Sequence, residues 1–274
     1  MEEKKDRLKE EEKPEDRFKA YQGLFYIFLG VLFLIAVWEL IWLGGGQVFP
    51  EFFASVGYMF QAMGRPETWL NLGYSFLRIL ISLAIVIILG YLCGLLSAFF
   101  SPLEKIFQPF IYFMTSFPTA SLIFVLMIYT KITCYILVAI LTFPIVYKAV
   151  LGGGKLVIAK YEDQLAIEGR YKPKTLWKIV APLSLPYLYI GFAQASGLAL
   201  KAEIMGEVFM ASSEFKGIGV LINRAAKVDF EYDKLFGLTL LALLTMAVFD
   251  LLIWILKRKL KAKYGTEPVN PYHW

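Results

Sequence analysis

Three ionisable side chains stand close together inside an otherwise apolar stretch: KAEIMGEV places Lys201, Glu203 and Glu207 where a membrane-crossing helix is expected. A charge at bilayer depth costs about 2.5 to 3.5 kcal/mol on insertion scales, so it faces a partner or a water-filled path. Glu203 and Glu207, four residues apart, share one helical face, while Lys201 points elsewhere relative to Glu203. Two chemistries fit the group. The helix either lines a translocation path, or it carries an ion pair that cements two subunits. Arg78, near the outer end of an earlier apolar run, is expected to snorkel to the headgroups rather than to bind a solute.

Other residue patterns exclude more than they offer. GGGKL, residues 152–156, imitates a phosphate-binding loop, but that pattern needs glycine at 149 and Ser or Thr after Lys155, where Ala149 and Leu156 stand. ATP hydrolysis by this chain is not expected. Cys93 and Cys134 both fall in apolar runs and His273 has no partner cluster, so neither a metal site nor a disulfide framework is expected. No catalytic residue and no cofactor is assigned to the chain itself, and a membrane enzyme is disfavoured.

The elements that must position these charges follow from composition. The chain has 274 residues, 58% of them hydrophobic, with apolar runs long enough to cross a bilayer of about 30 Å. This predicts an all-α, polytopic membrane helical bundle. Six spans are placed at residues 22–43, 72–100, 106–129, 132–151, 183–211 and 235–256. The net charge of +5 sits beside those spans and reports orientation, not nucleic acid. Basic residues concentrate in the N-terminal tail, in residues 155–178 and after Leu256, whereas residues 44–71 offer only Arg65. Both termini and the fourth-to-fifth loop are therefore expected in the cytoplasm. The expected organisation is a charged tail at 1–20, a membrane domain at 21–260 with a cytoplasmic loop at 155–182, and a second tail at 261–274.

Two outer segments carry helical patterning. Phe53, Val56, Phe60 and Met63 recur at helical spacing between Pro50 and Pro66, and residues 218–228 do the same after a flexible GIG at 217–219. Either could lie on the outer membrane face or simply pad the bundle. Prolines 109, 118, 144, 182 and 186 are not mirrored in two halves, which argues against the inverted repeats of many self-sufficient transporters.

The long charged segment EDQLAIEGRYKPKTLWKIVAPLSLP, residues 162–186, reads as helix, glycine break, basic helix, proline. Tyr161 and Leu165 lie four residues apart, Gly169 permits a helix C-cap, and Pro182 and Pro186 are expected to break the hairpin from the next span. Such a hairpin either docks a soluble partner or rests on lipid headgroups.

Glycine followed by proline thirteen and seventeen positions later, Gly169, Pro182 and Pro186, resembles the EAA loop of ABC importer permeases. FPEFFASVGYMF, GYSFLRILIS, SPLEKIFQPFIYFMTSFP and GEVFMASSEFKGIGVLI extend the resemblance over residues 49–260, to the nitrate, taurine and sulfonate branch. Asp163, Gln164 and Leu165 stand where that family has Glu-Ala-Ala, and Ala181 where leucine is usual before Pro182. The resemblance implies a type I ABC importer permease fold in the inner membrane. It also implies a cytosolic ATPase dimer that holds the ATP and Mg, an extracytoplasmic substrate-binding protein and a second permease copy, identical or different. ATPase docking would fall on Asp163, Gln164, Leu165, Glu168, Gly169, Arg170 and Pro182. The solute would be small, anionic or heteroaromatic: nitrate, a sulfonate such as taurine, or a vitamin precursor. The competing class is an ATP-independent carrier or anchoring subunit with a lipid-resting hairpin.

Overall fold

The computed structural model describes residues 14–45, 49–130, 132–168, 172–210 and 215–264. Ten helices are described: α1 (Pro14–Gly45), α2 (Phe52–Met63), α3 (Pro66–Phe99), α4 (Ser101–Ser116), α5 (Thr119–Tyr129), α6 (Thr133–Lys160), α7 (Glu162–Glu168), α8 (Pro173–Phe209), α9 (Ile218–Arg224, continued by a π turn at Ala225–Asp229) and α10 (Tyr232–Tyr264). No strand occurs among the described residues. Five helices are long and apolar enough to span a bilayer, six where the bent pair α4 and α5 counts as one broken span. The fold is an all-α polytopic bundle of the type I permease kind.

The bundle is built on α3, α6 and α8, which approach closely because small residues face one another. A Cβ at Gly90 would lie 2.8 Å from Val146 Cγ1, one at Gly94 2.9 Å from the Tyr147 carbonyl oxygen, and one at Gly191 2.9 Å from Ala149 Cβ. In a bilayer, where lipid is as apolar as leucine, close contact between small residues replaces the hydrophobic drive. The GGG run is used in the same way. Gly154 lies against Ala98 and Gly153 against Tyr187, so α6 continues through them to Lys160, nine residues past the expected end of the fourth span.

Two expectations change. Residues 106–129 are not one continuous helix but parts of two, α4 and α5, bent by 100°. Pro118 holds Phe117 in an extended conformation (φ −73°, ψ 130°) and thereby ends α4. Conversely, Pro182 and Pro186 do not separate the hairpin from the fifth span, because α8 runs through both. A π turn at Leu176–Val180 contains Lys178, the residue whose carbonyl would meet the Pro182 ring, and the wider turn makes room for it.

The helix α1 is exposed along most of its apolar length and touches the rest around an aromatic cluster, where Trp38 Nε1 donates to the Pro50 carbonyl at 3.0 Å and Phe52 N–H donates to Glu39 Oε1 at 3.2 Å. Trp38 lies 5.3 Å from the ring of Phe49, 5.7 Å from Phe52 and 5.3 Å from Phe236. A helix apolar all round suits lipid. The amphipathic α2 packs on α10, where a Cβ at Gly237 would lie 2.7 Å from the Ser55 carbonyl oxygen.

Candidate functional site: a buried charge cluster and a bundle-anchored hairpin

At the end of the bundle away from the hairpin, α3 carries Asn71, Ser75, Arg78 and Ser82, a polar stripe at helical spacing, all buried. Arg78 lies twelve residues into α3, about 18 Å from its start. It does not snorkel: it is 6% exposed, and Glu203 and Glu207 are 0% exposed. Arg78 Nε donates to Glu203 Oε1 at 2.5 Å, and its Nη2 donates to Glu207 Oε1 and to the Lys216 carbonyl at 2.7 Å. The Phe215 ring covers the guanidinium at 4.5 Å. The i, i+4 pair of carboxylates is thus clamped by one planar fork, a geometry lysine could not supply.

Glu207 also organises the chain after α8. Gly219 N–H donates to Glu207 Oε2 at 2.8 Å, Ile218 N–H to Ser75 Oγ at 3.1 Å, and Gly217 N–H to Asn71 Oδ1 at 2.8 Å. Ser75 Oγ in turn donates to Glu207 Oε1 at 2.6 Å. These N–H groups at the start of α9 have no intrahelical acceptor, and residues from α3 and α8 supply one. The GIG segment, expected to be flexible, is instead clamped. A Cβ at Gly219 would lie 2.6 Å from the Ile204 carbonyl oxygen, so glycine serves close approach here.

The three path candidates therefore separate. Glu203 and Glu207 meet inside the chain with Arg78, whereas Lys201, two residues and about 200° around the helix from Glu203, is exposed on the far side of α8. Arg78 as the partner was missed, although the stripe Asn71, Ser75, Arg78 on an apolar helix signals a polar seam.

At the opposite end, α7 and the first turns of α8 form the hairpin. Leu165, expected among the docking residues, is 0% exposed and belongs to the core with Val157, Leu176, Val180 and Ala181. Tyr161 and Leu165, one turn apart, face the bundle, and Tyr91 Oη of α3 donates to the Ala181 carbonyl at 2.7 Å. Asp163, Gln164 and Pro182 are exposed. Glu168 ends α7, with its side chain, Gly169 and Arg170 outside the described residues. The residue that projects from α7 is Ile167, 88% exposed, with Trp177 exposed on the first turns of α8. Neither was singled out in the sequence, since only the facing of the Tyr161–Leu165 stripe turns Ile167 outward. Lys155 pairs with Glu104 at 2.6 Å and ties α6 to α4 at this end.

Residues 87–264, well over half of the chain, match the sequence profile of the binding-protein-dependent transport system inner membrane component family. The chain belongs to that family. It is accordingly a permease component of an ABC transporter, a multi-pass transport subunit rather than an enzyme, and membership implies an ATPase and a substrate-binding protein as partners. The match takes in the permease hairpin, Glu203 and Glu207, and begins nine residues after Arg78. No curated protein matches the permease in sequence.

Proposed function

We propose that this permease moves a small solute inward across the cytoplasmic membrane, driven by a pair of cytosolic ATPase subunits that dock on the hairpin at 155–182, with both termini on the same side. The solute is handed over by an extracytoplasmic binding protein. The carrying observation is the double character of the hairpin: Leu165 is sealed into the core that joins α3, α6 and α8, while Ile167 stands out of it. A push on the exposed side is passed to two spanning helices through packed side chains, the requirement for switching a bundle between outward and inward openings.

Asp163 and Gln164, four and three residues before Ile167 on α7, and Pro182 on α8 are assigned to ATPase docking, as are Glu168, Gly169 and Arg170 from the resemblance alone. Lys201 lines the path on the open face of α8, and Glu203 and Glu207 hold that helix from behind through Arg78. The motifs FPEFFASVGYMF and GEVFMASSEFKGIGVLI support the nitrate, taurine and sulfonate branch, hence a small anion or a heteroaromatic vitamin precursor as solute.

The test is affinity purification of the full chain from its native membranes, with wild type and Ile167→Asp compared by mass spectrometry. An ATPase should accompany wild type and fall at least tenfold with Ile167→Asp, at unchanged unfolding temperature. Absence of an ATPase from both would sink the importer. One observation favours the second reading, an ATP-independent carrier or anchoring subunit: Trp177 is exposed between Lys174 and Lys178, a pattern suited to headgroups. Solute flux in liposomes holding this chain alone would establish that alternative.

A further inference from the structure

Lys148 on α6 is exposed and forms no ion pair among the described residues. Its depth follows from α3. Trp69, 54% exposed, is the kind of side chain that sits at a membrane interface. Gly94 is 25 residues, about 37 Å, further along α3, and a Cβ there would lie 2.9 Å from the Tyr147 carbonyl oxygen. A bilayer measures about 40–45 Å with its headgroups, so Lys148, the residue after Tyr147, stands level with the headgroups at the hairpin end. Around it α6 forms a notch. Gly152 and Lys155 follow at four and seven residues on the same face, and a Cβ at Gly152 would meet nothing within 4 Å. Lys155 is taken by Glu104 of α4 at 2.6 Å, which closes one side of the notch and leaves Lys148 unpaired. Gln108, one turn after Glu104, is exposed and adds an uncharged polar group. Together α4 and α6 carry Lys105, Lys148, Lys155 and Lys160 against the single carboxylate of Glu104. Toward the bilayer centre, Ile145 and Leu141 continue the face as a half-buried apolar strip.

We propose that this notch binds an anionic phospholipid, with its phosphodiester on the Lys148 ammonium above Gly152 and an acyl chain along Ile145 and Leu141. Three features select that ligand. The cation stands at the level of lipid phosphates, and the excess of lysines over carboxylates favours a headgroup with net negative charge. The apolar strip then continues into the hydrocarbon, where a free phosphate ion would make no use of it. Glycine at 152 matters because any side chain there would project into the space the phosphate takes. The site lies apart from the docking residues of the hairpin and from the solute path. Its leaflet is the cytoplasmic one on the orientation proposed above, but binding itself does not depend on that reading.

The test titrates the full chain in detergent with phosphatidylglycerol or with phosphatidylcholine of the same acyl chains and counts bound lipid by native mass spectrometry. Wild type should bind phosphatidylglycerol at least tenfold more tightly than phosphatidylcholine. Lys148→Gln and Gly152→Leu should each lower phosphatidylglycerol affinity at least tenfold, while their lipid-free unfolding temperatures do not fall below wild type, since both positions are exposed. Lys227→Gln, the same charge change at an exposed position at the far end of the bundle, should leave the affinity within twofold. Equal affinity of wild type for the two lipids overturns the proposal, as does undiminished phosphatidylglycerol affinity in Lys148→Gln or in Gly152→Leu. An equal loss in Lys227→Gln overturns it in favour of diffuse charge attraction, and displacement of the lipid by millimolar inorganic phosphate overturns it in favour of a free-ion site. Should either variant fail to fold, photoactivatable phosphatidylglycerol must label residues 141–156 of wild type; labelling confined to other segments overturns the proposal. ATPase co-purification, followed in parallel, reports the permease reading separately.

Discussion

Removing the Arg78 guanidinium strands two carboxylates that are 0% exposed. In Arg78→Ala, Glu203 Oε1 loses its 2.5 Å donor, Glu207 loses one of its donors, and the Lys216 carbonyl loses its 2.7 Å bond. Glu203 Oε2 already has no partner among the described residues, so nothing nearby replaces the loss. Breaking a buried ion pair from one side costs about 3–5 kcal/mol, or roughly two to three and a half powers of ten in the folded-to-unfolded ratio. Arg78→Ala should therefore fall sharply in mixed-micelle denaturation, and Arg78→Lys should recover only part because one ammonium cannot span both carboxylates. Adding Glu203→Gln to Arg78→Ala should return about half of the loss, since it removes one stranded charge while Glu207 keeps Ser75 and Gly219 as donors. A cost below about 1 kcal/mol for Arg78→Ala, as expected of an exposed or snorkelling arginine, would refute the buried clamp.

Other outcomes follow from the packing. Gly94→Ala should destabilise by about 1–3 kcal/mol through overpacking against the Tyr147 carbonyl and Val150, measured by thermal unfolding in detergent. Gly152→Ala, with nothing within 4 Å of its added methyl, should stabilise by about 0.5–1 kcal/mol in the same assay. Leu165→Ala should cost about 2–5 kcal/mol as a core truncation, whereas Ile167→Ala leaves the unfolding transition in place. Outside the spans, the hydrogen bond from Lys234 holds the Asp229 carboxyl below its usual range, with the nearby charges of Lys234 and Arg224 adding to it. Its contribution is complete above the ordinary carboxylate pKa and is lost as pH falls through the lowered value, so amide exchange in residues 225–234 should accelerate only at that acid limb and become pH-insensitive there in Asp229→Asn.

The helical, membrane-spanning class was legible in the chain because it depends on run length and hydropathy, which are local. So were α2, read from Phe53, Val56, Phe60 and Met63 at helical spacing, and the pairing of Glu203 with Glu207 on one face. Local spacing, however, states which residues share a face and not what that face meets. Tyr161 and Leu165 were visible as a stripe, yet only packing against α3, α6 and α8 turned it inward and left Ile167 outside. The break at Phe117–Pro118 was written in the sequence as a proline, but so were Pro182 and Pro186. A π turn absorbed Pro182, and helix α8 runs on through both. The partner of Glu203 and Glu207 lies 125 and 129 residues away, and no local rule connects such distant positions. Sequence alone determined that charges stood at bilayer depth; the crossing of α3 and α8, permitted by glycines at their contacts with α6, decided that Arg78 would neutralise two of them and that Lys201 would remain outside.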